Sequence, residues 1–242
     1  MTFARRRVAA LVAAMTILAA FSGTANAAEL VSDGEFDGAL RQRSEQATAK
    51  APRPCQDAAF RLISPGVKWN ETYEWAFRAS STPARLTKAS VAGVLQKSFD
   101  NITGAQNDCG LPDRVSAQHR YLGTTDVRPD CKHRDGHNVI GFGRLQFGVL
   151  AVTCFWMRNG KMVEADIKIN SRESWALSLN ACHESVALEA TMTHEAGHVF
   201  GLGHVGERRH GRLTMSPFLN GPCENSEATL GLGDVRGLEA LY

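Results

Sequence analysis

"ATMTHEAGHVFGLGHVG", Ala190–Gly206, is the stretch whose reading decides the fold. His194 and His198 stand four residues apart. On an α-helix such residues lie on one face, one turn apart, so both imidazoles project to the same side and can grip one metal ion. Glu195 is rotated by about 100° around the helix axis. It reaches a water on the metal without ligating the metal itself. Met192, Val199 and Phe200 anchor the helix elsewhere around its circumference. Gly201 then ends the helix, because glycine accepts the left-handed conformation that a sharp turn needs. The turn swings His204 back as a third ligand. Three neutral imidazoles leave a zinc ion its charge and one open position, where bound water falls to a pKa of roughly 7. Glu195 is the base placed to take its proton. A stray histidine on a core or surface helix explains one of these residues but not the set.

The rest of the 242-residue chain is compatible with one sizeable domain preceded by an extension. Residues 1–27 read as a secretory signal peptide: Arg5, Arg6 and Arg7, an apolar run from Val8 to Phe21, then the small-x-small site Ala25-Asn26-Ala27. The apolar run is shorter than the roughly 20 residues of a membrane helix, so no stable membrane insertion is expected. Lys and Arg number 27 against 25 Asp and Glu, a net charge of +2. The leader holds three arginines and no acid, so the chain without it carries −1. That balance gives no argument for a nucleic-acid partner. All six cysteines, Cys55, Cys109, Cys131, Cys154, Cys182 and Cys223, come after the leader. An even count in an exported chain reads as three disulfides. Spacing does not choose among the pairings; Cys109–Cys131, Cys182–Cys223 and Cys55–Cys154 are the expected assignment.

Residues 28–66 read as an N-terminal extension or short pro-segment, and residues 67–242 as the domain. "VKWNETYEWAFR" alternates, with Tyr73, Trp75 and Phe77 on one face, and is expected to be a strand. "SSTPARLTKASVAGVLQKSFDNI" is expected to be a helix capped at Thr82, with Pro83 in its first turn and Val91, Leu95, Phe99 and Ile102 on its buried face. "RVSAQHRYLG" and "HNVIGFG" are further strands, and Asn159-Gly160 joins two more as a hairpin. The motif helix is expected from about Ser185, beneath the sheet, and "GDVRGLEALY" closes the chain as a short helix.

"HEAGHVFGLGH" resembles the metzincin zinc signature HExxHxxGxxH. "LTMSPF" looks like the Met-turn of the matrixin branch, with Met215 under the metal. The resemblance implies an α+β catalytic domain. Its sheet would be twisted and five-stranded, mostly parallel with one antiparallel edge strand, and packed on an active-site helix and a C-terminal helix. It also implies that Pro217, Phe218 and Leu219 wall the pocket for the side chain after the cut bond. "GVLAVT", with Leu150 and Ala151, resembles the cleft-edge strand on which an extended peptide pairs antiparallel.

Several features depart from that pattern. "NDCGLPD" looks like the family's zinc-plugging cysteine motif, but Cys109 lies inside the domain, where disulfide use is expected instead. His133, Asp135 and His137 fall where relatives hold structural zinc or calcium, without the full ligand pattern, and read as a solvated loop. Glu164 and Asp166 are open to calcium or to water, and His210 reads as part of an exposed loop. The reading is therefore a secreted, extracellular, monomeric zinc endopeptidase acting on proteins or peptides, with Glu195 activating a zinc-bound water and calcium as an optional second ion. Two alternatives stay open: an exported binding module without turnover, and an amidase or peptidase acting on cell-wall peptides.

Overall fold

The structure is a computed structural model that describes residues 39–42 and 51–242. The signal peptide expected over residues 1–27 lies outside the described residues. The strands are β1 (Ala39–Gln42), β2 (Arg61–Leu62), β3 (Tyr73–Phe77), β4 (His119–Thr124), β5 (Val139–Gly143), β6 (Val149–Arg158), β7 (Lys161–Asn170), β8 (Trp175–Ala176), β9 (Val186–Ala187), β10 (Leu202–Gly203) and β11 (Phe218–Leu219). The α-helices are α1 (Lys88–Thr103), α2 (Leu188–Val199), α3 (Glu207–His210) and α4 (Leu232–Glu239). Among the described residues no helix is long and apolar enough to cross a membrane.

The main sheet has the order β11-β1-β6-β7-β5-β3-β4. Its centre is the expected five-stranded unit: β4, β3, β5 and β7 run parallel, and β6 lies antiparallel to β7. Asn159 and Gly160 turn the β6–β7 hairpin with φ of 53° and 73°, the left-handed pair that a tight two-residue loop requires. The two outer strands were not expected from sequence. β1 pairs antiparallel with β6, and β11 pairs parallel with β1.

One face of this sheet covers α1 and α2. Alternation in β3 buries Tyr73, Trp75 and Phe77 completely, and they meet the apolar stripe of α1. Phe99 stacks on Tyr73 at 5.5 Å and on Trp75 at 5.0 Å between ring centres. Each such pair adds about 0.5–1.5 kcal/mol beyond burial alone. α1 is joined to α2 by Asn101 Nδ2, which donates to Thr193 Oγ1 at 3.2 Å. Trp69 Nε1 donates to the carbonyl of Val199 at 2.8 Å and satisfies one of the carbonyls that the end of α2 leaves open.

Sequence patterns placed some boundaries wrongly. α1 starts at Lys88, not near Thr82, because Pro83 initiates a separate turn in which Leu86 N donates to the Pro83 carbonyl. α2 starts at Leu188, since Val186 and Ala187 are taken up by pairing with β8. Part of the N-terminal extension is built into the domain: β2 pairs antiparallel with β10, and His210 bonds the buried carboxylate of Asp57 at 2.9 Å.

Only one cysteine pair is the one assigned from sequence, Cys182–Cys223; the others are Cys55–Cys109 and Cys131–Cys154. The two acids of β7 explain the second of these. Asp166 accepts backbone N–H bonds from Asp130 (2.6 Å) and Val139 (2.7 Å), and Glu164 accepts from Asp135 (2.9 Å) and Gly136 (2.5 Å). These bonds hold the loop before β5 over the outer face of the sheet. There Cys154 sits with Val152 and Trp156, and Cys131 packs against them. Cys55 is instead drawn to Cys109, because Gly231 lies against Pro54 while Leu230 N donates to the Gln106 carbonyl. Glu164 and Asp166 are thus buried anchors rather than water-facing acids. Burial pushes the Asp166 carboxyl up to about 7 against the lowering effect of its N–H partners.

Candidate metal centre and cleft

The lower face of β6 lies over α2, and here the motif residues meet. His194 and His198 are buried on α2. Phe200 and Gly201 then leave the helix; Gly201 has φ of 91°, and a Cβ there would press on Leu241 and on the Val67 carbonyl. The chain reverses and brings His204 opposite the helix. The three Nε2 atoms form a triangle with sides of 3.0, 3.0 and 3.1 Å.

The ring orientations follow from the other nitrogens. His194 Nδ1–H donates to the Thr214 carbonyl at 2.7 Å, and His198 Nδ1–H donates to the Leu202 carbonyl at 2.8 Å. A carbonyl only accepts, so these contacts fix the tautomer and leave each Nε2 with a lone pair. Burial, then the neighbouring imidazoles, lower the proton affinity of His194 and His204 and keep both neutral. Converging lone pairs repel one another unless they share a cation. Their spacing fits nitrogens held about 2.0–2.1 Å from one zinc. Among the described residues this is the one cluster of three or more His, Cys, Asp or Glu side chains close enough to hold a metal. His133 and His137 stand exposed in their loop, and Cys109 has no free thiol because it is bonded to Cys55.

Met215 closes the floor. It is 2% exposed, and its sulfur lies so near Gly197 that a Cβ at that position would collide with it. The turn bearing Met215 is clamped by Asp234, which accepts N–H bonds from Gly231 (2.9 Å), Thr214 (3.0 Å) and Met215 (3.2 Å). Burial raises the Asp234 carboxyl to about 6, opposed by these donors. Because Thr214 also orients His194, α4 supports the metal centre through this clamp. Asp234→Ala leaves three buried N–H groups without partners at about 1–3 kcal/mol each. The expected result is a melting temperature lower by roughly 6–36 °C, measurable by calorimetry.

Glu195 is fully buried beside the triangle. Its Oε2 lies 2.5 Å from the hydroxyl of Thr153, and its carboxylate also accepts from the backbone N–H of Leu40. Burial outweighs both contacts and raises this carboxyl to about 8. Thr153 could not be singled out from sequence, since one hydroxyl in an apolar strand carries no spacing signal.

The expected cleft residues gather around β1. Leu40 pairs with Ala151, Arg41 with Phe218 and Gln42 with Leu219, while Arg41 N donates to the Pro217 carbonyl at 3.0 Å. Leu150 is buried in the core just behind. A cleft of about 960 Å³ opens here, with His204, Arg61 and Lys168 in its lining.

A family model described as matrixin matches residues 68–242. The chain belongs to the matrixin family. A curated relative, Metalloendoproteinase 4-MMP of Arabidopsis thaliana, is 34% identical over 112 residues, which are 46% of this chain and 28% of that protein. The matched stretch thus spans less than a third of the relative. Matrixins bind zinc, the three-histidine triangle is a donor set of the kind that can hold a metal ion, and the α+β fold agrees with the family assignment.

Proposed function

We propose that this matrixin is a secreted, zinc-dependent endopeptidase. The observation that carries the reading is the convergence of three Nε2 lone pairs beside the buried Glu195, directly under a strand edge able to hold an extended peptide. His194, His198 and His204 would hold the zinc. When bound, the ion supplies a Lewis acid for the peptide carbonyl and makes a water acidic enough to ionise near neutral pH. Glu195 takes the proton from the attacking water and returns it to the leaving nitrogen. β6 aligns the substrate backbone through Val149–Val152, and Pro217, Phe218 and Leu219 flank the residues after the cut. The buried environment excludes bulk water and strengthens each of these electrostatic contacts. Three disulfides accord with export to an oxidising compartment, and the chain is expected to act as a monomer.

Mass-spectrometric mapping of cuts in a peptide library, with and without a chelator, tests this reading. Cuts that vanish on chelation are expected; a zinc-loaded chain that cuts nothing would instead be a binding module.

Thr153 is a positioning residue in this scheme. Thr153→Val removes a hydrogen bond to a charged group, worth about 1.5–3 kcal/mol. The expected result is a kcat lower by roughly 10–100-fold with KM unchanged, restored by Thr153→Ser.

A further inference from the structure

The cleft beside the metal centre is lined by cations. Arg41, Arg61 and Lys168 line it, and among the described residues no Asp or Glu does. Of the three, Lys168 is rooted in the centre of the sheet, on β7. Its neighbours Ile167 and Ile169 belong to the core, so Lys168 points to the outer face, where it stands opposite Val152 of β6. Val152 comes one residue before Thr153, whose hydroxyl bonds Glu195. Lys168 is therefore close to the place where the proposed acid–base group works.

The surroundings of this side chain are fixed. Its methylenes lie over Gly143, where a Cβ would come within 3.1 Å of them. The adjoining wall, residues 145–149, is fastened by the fully buried Asn170, which donates to the Val149 carbonyl at 2.8 Å and accepts from Leu145 N at 3.4 Å. What the ammonium lacks is a counter-ion. Asp166, the nearest acid along β7 on the same face, has Oδ1 taken by the amide of Val139 and Oδ2 by that of Asp130. No hydrogen bond or ion pair to Lys168 is found among the described residues. Lys168 is half-buried, so water screens it less than a fully exposed lysine and a carboxylate brought by a ligand gains more. Arg61, paired with Gly203 beside His204, adds to the positive field of the cleft.

We infer that Lys168 sets the specificity of this cleft: it binds the side-chain carboxylate of an Asp or Glu close to the cut bond, so that the substrates are acidic peptides. The inference rests on the peptidase reading above and names the substrate class of that site. An ammonium is a compact charge on a flexible stem, so Asp and Glu should both serve, whereas neutral Asn and Gln should not. Alternate side chains of an extended peptide point to opposite faces, so the preference should peak at one position.

Two measurements on the full chain test this. Among library peptides cut by the unmodified chain, Asp or Glu should be favoured over Asn or Gln at one position near the cut by about tenfold or more in kcat/KM, the usual worth of a hydrogen bond to a charged group. Lys168→Met, which keeps a stem over Gly143 and removes the charge, should erase that preference. Lys168→Glu should turn it toward Lys or Arg. In the second measurement, zinc-loaded Glu195→Gln, which holds peptides without cutting them, should retain acidic members of the same library about tenfold more than their amide counterparts, and the double variant with Lys168→Met should not.

Library cuts without an acidic preference, or with the same preference in Lys168→Met, would overturn the role of Lys168 and leave the peptidase reading standing. A chain that cuts nothing yet retains acidic peptides through Lys168 would remove the peptidase reading and keep the carboxylate seat. Neither cuts nor retention would remove both.

Discussion

Glu195→Gln is expected to lower kcat for peptide hydrolysis by about 10²–10⁴-fold, the usual contribution of a positioned acid–base group. The substitution keeps the size of the side chain and an oxygen for the Thr153 hydroxyl, so the packing between α2 and β6 should survive. The rings of His194 and His198 are held by the carbonyls of Thr214 and Leu202 rather than by Glu195. Metal content should therefore remain as in the unmodified chain. A variant that loses zinc together with activity would show that Glu195 acts structurally. A variant that retains zinc and cuts peptides undiminished would remove Glu195 from the mechanism.

The second large effect is expected for His198→Ala. His198 is fully buried and stands 3.0 and 3.1 Å from the other two nitrogens, so its loss leaves only two of the three. Removing merely the hydrogen-bond partner of a ligand costs about 10–100-fold in metal affinity, and losing the ligand itself should cost more. Peptide cleavage should fall to background at micromolar zinc. Stability should change as well, because an ion bound only by the folded state contributes about 2.7 kcal/mol at one hundred times its dissociation constant. Zinc should therefore raise the melting temperature of the unmodified chain and leave that of His198→Ala nearly unaltered. Equal shifts in both proteins would place the ion elsewhere.

The contrast between what the sequence disclosed and what it hid comes from range. His194, Glu195, His198, Gly201 and His204 lie within eleven residues, and helix periodicity with one glycine turn fixes their relation. Asn159-Gly160 was equally legible, because a two-residue hairpin has few backbone solutions. The aromatic face of β3 declared itself through strict alternation. Long-range relations were not encoded locally. Cys131 meets Cys154 only because Glu164 and Asp166, two strands away from the loop in sequence, hold that loop over β6. The start of α1 moved to Lys88 because a proline turn competed for the same residues.

Residues 39–42 were the least legible of all. "ALRQ" sits in a polar, Ala-rich stretch with no strand periodicity, and its conformation comes from the edges it joins. A peptide that takes its structure from a cleft resembles a ligand more than an element of secondary structure. The same reasoning explains why Thr153 was missed: its role exists only once β6 is laid over α2.

X-ray absorption at the zinc edge of the purified, oxidised chain tests the central claim most directly. The account predicts one zinc per chain, with a first shell of three imidazole nitrogens at about 2.0–2.1 Å and a lighter oxygen donor. A shell containing sulfur at about 2.3 Å, or a folded chain that binds no zinc, would contradict it.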